Sequence, residues 1–200
     1  MQPDDRPRCW WSTGTGAADP LMVEYHDTEW GTPVNNDVGL FERLALDSFQ
    51  AGLSWSTILH KREAFRSAFA GFRPEVVAAF GADDVERLMG DASIVRNRAK
   101  IQATIGNAVA FLETSKAFGS FDAYLASLIE RPPRRLPPTA GSGDVPATTP
   151  ASDALSVDLR KRGFRFVGST IVYAFMQSVG LVDDHLPGCW RYAGEPVPAS

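Results

Sequence analysis

Cysteine is scarce in this chain of 200 residues, which has only Cys9 and Cys189, near its opposite ends. Two such distant cysteines exclude a disulfide-stapled scaffold, and we expect both to be free thiols in a cytoplasmic protein. Runs of about 18 apolar residues are missing, which excludes a membrane-spanning helix. The polar residues 1–6 lack the apolar centre of a signal peptide. Neither strand-like alternation nor an internal repeat is found.

An excess of positive charge is also missing, since the formal net charge is −4 and the isoelectric point is about 5.4. This excludes a protein coated with basic residues, such as a histone-like binder, although a local basic patch would be enough to bind DNA. The chain does have 44% hydrophobic and 10% aromatic residues, which is enough for a sizeable core. We therefore predict a soluble, single domain over residues 1–200, and a monomer.

Helical periodicity dominates the chain from residue 36 onwards. Asn36 can cap a helix in which Leu40, Phe41 and Leu44 recur at three- and four-residue spacing. Similar spacings, bounded by capping residues and glycines, occur in several later segments. The sequence predicts an all-α fold with about eight helices.

Three segments interrupt this periodicity. Residues 1–35 are rich in Trp, Gly and Pro and are predicted to form an irregular arm that needs an external tether. Residues 131–149 have the composition of a Pro-rich loop. Residues 190–200 are predicted to be a flexible tail.

Two cysteines and two histidines could together bind a metal ion. His185 and Cys189 are separated by three residues, and Cys9 and His26 lie in the irregular arm. Thiolate and imidazole are the ligands that zinc prefers, and two of each complete a tetrahedron with no position left for water. Such a site would be structural and would clip the arm to the C-terminal end. The alternative is that these are ordinary buried cysteines and hydrogen-bonded core histidines.

A short connection between two predicted helices has the composition of a clamp for the DNA backbone. It combines glycines, basic side chains and hydroxyls at the start of a helix, in Lys161, Arg162, Gly163, Arg165, Gly168, Ser169 and Thr170. N–H groups at a helix start bind phosphate, and such contacts hold DNA without reading its sequence. The alternative is an ordinary helix connection with solvated charges. A second basic group faces either the same DNA or solvent, and consists of Arg96, Arg98 and Lys100.

Aromatic and acidic residues could form a pocket for an extrahelical base. Tyr25 and Trp30 lie close together in the arm, Asp47 lies in the first predicted helix, and Trp55 follows that helix. Rings stack on the faces of a base, and a carboxylate accepts hydrogen bonds from amino groups and favours a cation. The alternative is that the tryptophans belong to the core and that Asp47 is exposed.

Several long segments resemble the bacterial DNA-3-methyladenine glycosylase I family. They are YHDTEWG at 25–31, FQAGLSW at 49–55, KREAFR at 61–66, TPASDALS at 149–156 and KRGFRFVGSTIVYAFMQSVGLVDDH at 161–185. The resemblance extends from about Cys9 to Cys189 and is weakest over 131–148. It implies a helix-hairpin-helix glycosylase fold with a structural zinc ion, whose ligands would be Cys9, His26, His185 and Cys189.

The resemblance also implies a base pocket lined by Tyr25, Trp30 and Trp55. Two pocket positions depart from the family pattern. The family usually has Glu where this chain has Asp47, and often has an aromatic residue where this chain has Met22. Asp is one methylene shorter than Glu, so we expect both differences to bear on substrate selectivity and rate.

The implied activity is base-excision repair of alkylated double-stranded DNA by hydrolysis of the N-glycosidic bond of 3-methyladenine. That base is cationic and its bond to the sugar is weak, so extruding the nucleotide and stabilising the developing sugar cation would suffice. Asp47 and Tyr25 are the expected catalytic residues, and the enzyme is expected to be monofunctional. Two alternatives are open, namely a zinc-stabilised binder of damaged DNA and a glycosylase whose alkyl-purine specificity is altered by Asp47 and Met22.

Overall fold

The computed structural model describes residues 5–14, 18–131 and 133–192, and they are mostly helical, as predicted. Eleven α-helices occur in these ranges, and their bounds are Trp10–Thr13 (α1), Pro20–Thr28 (α2), Asp37–Gln50 (α3), Trp55–His60 (α4), Arg62–Ala68 (α5), Pro74–Val77 (α6), Ala82–Gly90 (α7), Arg98–Phe118 (α8), Phe121–Leu128 (α9), Pro150–Lys161 (α10) and Ser169–Ser178 (α11). Two short 3-10 helices are Ala70–Phe72 and Ser142–Asp144. No helix in the described ranges is long and apolar enough to cross a bilayer.

Helix α3 is the centre of the core. All of its residues from Leu40 to Phe49 are buried, and it packs against α4, α8 and α11. A helix that is covered on every side also buries its polar residues, which must then find partners. Glu42 accordingly pairs with Arg66, and Arg43 pairs with Glu29. This burial determines the environment of Asp47, which lies near the end of the same helix.

The N-terminal arm is more regular than predicted, because it contains helices α1 and α2. Pro20 occupies the first turn of α2, and the side chain of Asp19 caps the helix by accepting from the N–H of Leu21. The buried residues of α2 include Val23, Tyr25 and His26. This mixture of apolar and polar residues explains why periodicity did not reveal the helix.

Part of the Pro-rich segment 131–149 is tied to the C-terminal region. Two short strands, Arg134–Arg135 (β1) and Val182–Asp183 (β2), pair in parallel. Leu136 is buried, and the hydroxyl of Tyr192 donates to its carbonyl. The segment therefore packs on the domain beside β2.

The start of the predicted flexible tail is packed, which corrects the boundary at residue 190. The N–H of Trp190 donates to the carbonyl of Pro7, and the buried guanidinium of Arg191 donates to the carbonyl of Asp27. Contacts with the distant N-terminal arm order these residues, and the local composition of the sequence does not reveal such contacts. Residues 193–200 of the predicted tail lie outside the described residues.

Candidate active site

A cavity of about 310 Å³, here called the aromatic cavity, opens between the N-terminal arm, α3, α4 and α11. Its walls include every residue predicted to contact a base, namely Met22, Tyr25, Trp30, Asp47 and Trp55. These residues come from three separate stretches of sequence. The fold thus brings together the residues that the resemblance assigns to the base pocket, whose individual roles stay predictions.

Aromatic rings form most of the wall of the cavity. The ring centroids of Tyr25 and Trp55 are 5.0 Å apart, as are those of Trp11 and Trp30, which meet edge to face. The indole Nε1 of Trp55 is buried and has no hydrogen-bond partner within the described chain. Flat surfaces of this kind can stack on the face of a base.

Asp47 is the buried acid of α3 in this wall, with only 2% of its surface exposed. The alternative, that Asp47 is exposed on its helix, is therefore wrong. Burial raises its pKa to about 7, and the opposing effects of Ser178 and Arg43 offset this only in part. The hydroxyl of Ser178 donates to Asp47 Oδ2 over 3.1 Å. This carboxyl group can therefore change its charge near neutral pH.

Tyr25 is buried beside Asp47, and its ring faces the guanidinium of Arg43 at 5.5 Å. Burial raises the pKa of its phenol above the usual range, because the charged form would lose its hydration. The phenol therefore keeps its proton at neutral pH. It can offer a ring face and an O–H donor, and it is not a base.

Three of the four predicted metal ligands lie together behind this wall. The ligand atoms of Cys9, His26 and Cys189 are all within 4.8 Å of one another, and all three residues are buried. Hydrogen bonds with Cys9 and then with His26 hold the pKa of the Cys189 thiol well below its usual range. A thiolate is the form in which cysteine binds metals.

His185 is the fourth predicted ligand, and its ring lies 5.2 Å from that of His26. Its Nε2 atom is buried and has no hydrogen-bond partner in the part of the chain described. The Nδ1 atoms of the two histidines face carboxylates, His26 that of Asp27 at 2.8 Å and His185 that of Asp183 at 2.9 Å. Carboxylates in this position orient metal-binding imidazoles. Two thiols and two imidazoles are the donor types of a closed four-ligand zinc site, and this Cys–His cluster (Cys9, His26, His185 and Cys189) supplies them.

Trp30 joins the Cys–His cluster to the aromatic cavity. It lines the cavity, and its ring meets that of His185 edge-on, with centroids 4.7 Å apart. The cavity thus shares one wall with the cluster. Trp11 belongs to the same wall and was not predicted, although it lies only two residues after Cys9 in the sequence.

The hairpin between α10 and α11 (residues 162–168) is held by side chains from three helices. Asn107 of α8 both accepts from the N–H of Arg165 and donates to its carbonyl, over 2.8 and 3.0 Å. Ser48 donates to the carbonyl of Phe166, and Ser156 to that of Val167. The backbone of the hairpin is therefore fixed without any ligand.

The predicted clamp residues lie in and around this hairpin. Lys161, Arg165 and Thr170 are exposed, and Gly163 has a φ of +95°, which favours glycine. Gly168 is the N-cap of α11 and provides no side chain, so the first N–H groups of that helix are open to an anion. The Nε of Arg162 donates to Asp158 over 2.6 Å, and its role in DNA binding stays a prediction.

The second basic group is not one surface. Arg96 is exposed and Arg98 pairs with Glu86, but Lys100 is buried. The ammonium of Lys100 donates to the carbonyls of Phe49 and Ala51 and so satisfies the end of α3. Lys100 therefore faces neither DNA nor solvent.

Comparison with known proteins agrees with these observations. Residues 13–192 match the methyladenine glycosylase family. DNA-3-methyladenine glycosylase 1 of Escherichia coli K12 is 49% identical over 187 residues, which cover 94% of this chain and 97% of that protein. DNA-3-methyladenine glycosylase of Haemophilus influenzae is 43% identical over 169 residues, which cover 84% of this chain and 91% of that protein.

Solved structures show the same relationship. A crystal structure of 3-methyladenine DNA glycosylase I matches with a TM-score of 0.86 and 45% identity, over 94% of this chain and 100% of that one. A variant of such an enzyme with a tyrosine replaced by phenylalanine, in complex with 3-methyladenine, matches with a TM-score of 0.84 and 38% identity, over 90% and 96%. This chain belongs to the bacterial 3-methyladenine DNA glycosylase I family.

Proposed function

We propose that this enzyme removes 3-methyladenine from alkylated double-stranded DNA by hydrolysing the N-glycosidic bond. The observation that carries the proposal is the aromatic cavity, in which Tyr25 and Trp55 lie beside the buried acid Asp47. An adenine methylated at N3 is a flat cation, and rings beside a carboxylate suit its shape and its charge. A relative of 38% identity has been crystallised with 3-methyladenine.

Once the base has been extruded from the DNA helix, cleavage of its glycosidic bond needs little catalytic assistance from the protein. The cationic base is a good leaving group, so the sugar acquires positive charge as the bond breaks, and ionised Asp47 favours that charge. Tyr25 keeps its proton and contributes a ring and a donor. None of the described residues that line the cavity is a lysine, so water rather than an amine is the nucleophile, and the product is an abasic site in an uncut strand.

We infer that the Cys–His cluster holds a structural zinc ion. The unpartnered Nε2 of His185 and the carboxylates on both Nδ1 atoms support this inference. The metal would supply a cross-link between the two ends of the chain. It would not activate water, because four protein ligands fill its coordination sphere.

We also infer that the hairpin is a helix-hairpin-helix clamp for the DNA backbone. The open N–H groups at the start of α11 and the exposed Lys161 and Arg165 support this role. The backbone hydrogen bonds of Asn107 keep the loop in shape before DNA binds. Such contacts would place the lesion over the aromatic cavity without selecting a sequence.

The test is chromatography of the free bases that the purified protein releases from methylated duplex DNA. We expect 3-methyladenine, and we expect Asp47→Asn to lower its release about a hundredfold, because the variant lacks the charge that stabilises the transition state. Glu42→Gln is the matched control, since it neutralises another buried acid of α3 that does not line the cavity.

The outcomes separate the alternatives. DNA binding without release of any base would support a zinc-stabilised binder of damaged DNA. Release of other alkylated purines in preference to 3-methyladenine would support altered specificity owing to Asp47 and Met22. Equal rates for Asp47→Asn and the unaltered protein would refute the role of Asp47.

A further inference from the structure

Two further polar residues of the aromatic cavity, Gln177 and Asp184, have no role in the mechanism proposed above. Gln177 of α11 and Asp184, which follows β2, both line the cavity. Gln177 is half-buried, whereas Asp184 is 2% exposed and lies deeper in the wall. The amide Nε2 of Gln177 donates to Asp184 Oδ2 over 2.8 Å.

Asp184 dictates which way the amide of Gln177 faces. Its Oδ2 also accepts from the hydroxyl of Tyr173, one turn before Gln177, over 2.5 Å. A guanidinium nitrogen of Arg134 lies 3.7 Å from its Oδ1. Because Asp184 Oδ2 is already the acceptor for Tyr173, turning the amide round would set two acceptor oxygens against each other. The nitrogen of Gln177 therefore faces Asp184.

The oxygen of Gln177 is left as an unused acceptor. Among the described residues, none forms a hydrogen bond with Gln177 Oε1. The atom is also not fully buried. It is therefore accessible on a residue that lines the cavity. When the nitrogen of an amide is held by the protein and its oxygen is free, the oxygen binds a ligand that presents a hydrogen-bond donor and repels one that presents an acceptor.

We propose that Gln177 Oε1 is a specificity-determining acceptor of the base cavity, and that Asp184 is the positioning residue that fixes it. The acceptor takes an N–H of the exocyclic amino group of an adenine-type base. It repels the carbonyl oxygen that a guanine-type base carries at the same ring position. The inference rests on the proposed function and adds how the cavity separates two alkylated purines.

The test is the ratio of kcat/KM values for release of 3-methyladenine and 3-methylguanine from duplex DNA. Gln177→Met keeps the length of the side chain and removes the acceptor. Asp184→Asn provides an amide that can pair with either end of Gln177, so the orientation is lost. We expect both variants to lower the ratio by about tenfold, which is the effect of one well-placed hydrogen bond, mainly through slower release of 3-methyladenine.

Asp158→Asn is the matched control. Asp158 likewise accepts from a tyrosine, with Tyr124 as donor over 2.8 Å, and it likewise faces an arginine, Arg162, but it lies outside the cavity. We expect the ratio of kcat/KM values for Asp158→Asn to stay within about twofold of that for the unaltered enzyme, because no hydrogen bond in the cavity changes. Metal content and Tm are measured for each variant, because Asp184 precedes His185. Damage to the fold would slow both reactions together and leave the ratio unchanged.

An unchanged ratio in Gln177→Met would overturn the proposal. A lower ratio in Gln177→Met together with an unchanged ratio in Asp184→Asn would refute the positioning role of Asp184. If the unaltered protein released neither base, the proposed function would fail. Quenching of its tryptophan fluorescence by the two free bases would then still test the inference, and equal affinities would refute it.

Discussion

Asp47 combines two properties that oppose each other at the scale of a single residue. A cationic base is attracted by a charged carboxylate, whereas burial among rings disfavours that charge and raises the pKa of Asp47 to about 7. Arg43, the nearby cation that opposes this rise, does not cancel it. Near neutral pH both the protonated and the ionised form of Asp47 are therefore populated.

Activity should depend on this proton. We expect kcat/KM for release of 3-methyladenine to rise between about pH 6 and about pH 8, because kcat/KM reports ionisation of the free enzyme. The midpoint should lie near the pKa of about 7. Initial rates at subsaturating DNA measure this profile. Asp47→Asn is the control, and its residual rate should be flat over that range; a flat profile for the unaltered enzyme would contradict the assignment.

The free energy of unfolding should depend on pH in the opposite direction to the activity. The folded pKa of Asp47, about 7, lies above its ordinary value of 3.8, so between these values the folded state holds a proton that the unfolded state has lost. Stability is therefore lost as pH rises through this window, by as much as about 4 kcal/mol. Urea unfolding should show Asp47→Asn gaining stability over the unaltered enzyme from about pH 5 to about pH 8. A constant difference between the two proteins would exclude this.

Sequence could predict the residues that lie within recognisable motifs, such as Tyr25 and Trp55. Gln177 and Asp184 were not predicted although they lie within the matching segment 161–185, because nothing in the sequence shows which polar side chains of that segment face the cavity. The same limit applies to Lys100, whose basic neighbours in sequence indicated a surface although its ammonium caps α3. Burial is a property of the packed elements and is not visible in the local sequence.

At the scale of an element, Asn107 of α8 makes two of the side-chain hydrogen bonds that hold the hairpin. Asn107→Ala removes both hydrogen bonds to Arg165 and leaves its backbone groups unpaired. We expect a loss of about 2 kcal/mol of stability, and weaker binding of labelled duplex DNA by fluorescence anisotropy. Thr114→Val is the control, since Thr114 is buried in the same helix and bonds only within it. Unchanged DNA affinity in Asn107→Ala would show that the hairpin does not need this support.

Gly31 links the turn after α2 to the Cys–His cluster. Its φ is +73°, and a Cβ there would lie 2.8 Å from Cε1 of His185, whose ring is held by Asp183. We expect Gly31→Ala to lower bound zinc per chain, measured by mass spectrometry. Gly71→Ala shares the positive φ but meets open space, so it should cost only the backbone strain of about 1 kcal/mol. Equal metal content in both variants would contradict this prediction.

Elements were predictable where apolar residues recur on one helix face, as in α3. They were not predictable where contacts with distant residues provide the order. Helix α2 mixes polar and apolar residues on its buried side, and β1 exists only because β2 lies beside it. Proline content alone indicated a loop at 131–149, although Ser142 and Val145 of that segment line the aromatic cavity.

At the scale of the whole molecule, zinc should support both stability and base binding. Chelation or Cys9→Ser should lower Tm and weaken binding of free 3-methyladenine, because Trp30 packs on His185. Calorimetry and tryptophan fluorescence measure these two effects. Cys189 should respond as Cys9 does, whereas His60→Gln, outside the cluster, should leave metal content unchanged. A metal-free protein with full Tm and base affinity would refute the inference.

The order of motifs along the chain allowed the family to be predicted, because long segments match in sequence. That the two cysteines meet could not be derived from spacing alone, since 180 positions separate Cys9 from Cys189. Their meeting depends on how α2, α11 and the C-terminal residues pack. The division of the chain into one domain with an arm, a loop and a tail stays a prediction.

The meeting of the two ends has a consequence for how the protein is made. Synthesis proceeds from the N-terminus, so Trp11 and Trp30 leave the ribosome long before His185 and Cys189. Until those residues arrive, the wall that contains Trp30 lacks the ring of His185, against which Trp30 packs. A nascent chain that has not yet reached His185 therefore lacks a finished cavity. The capacity to break glycosidic bonds is thus acquired only by chains that have been translated as far as Cys189.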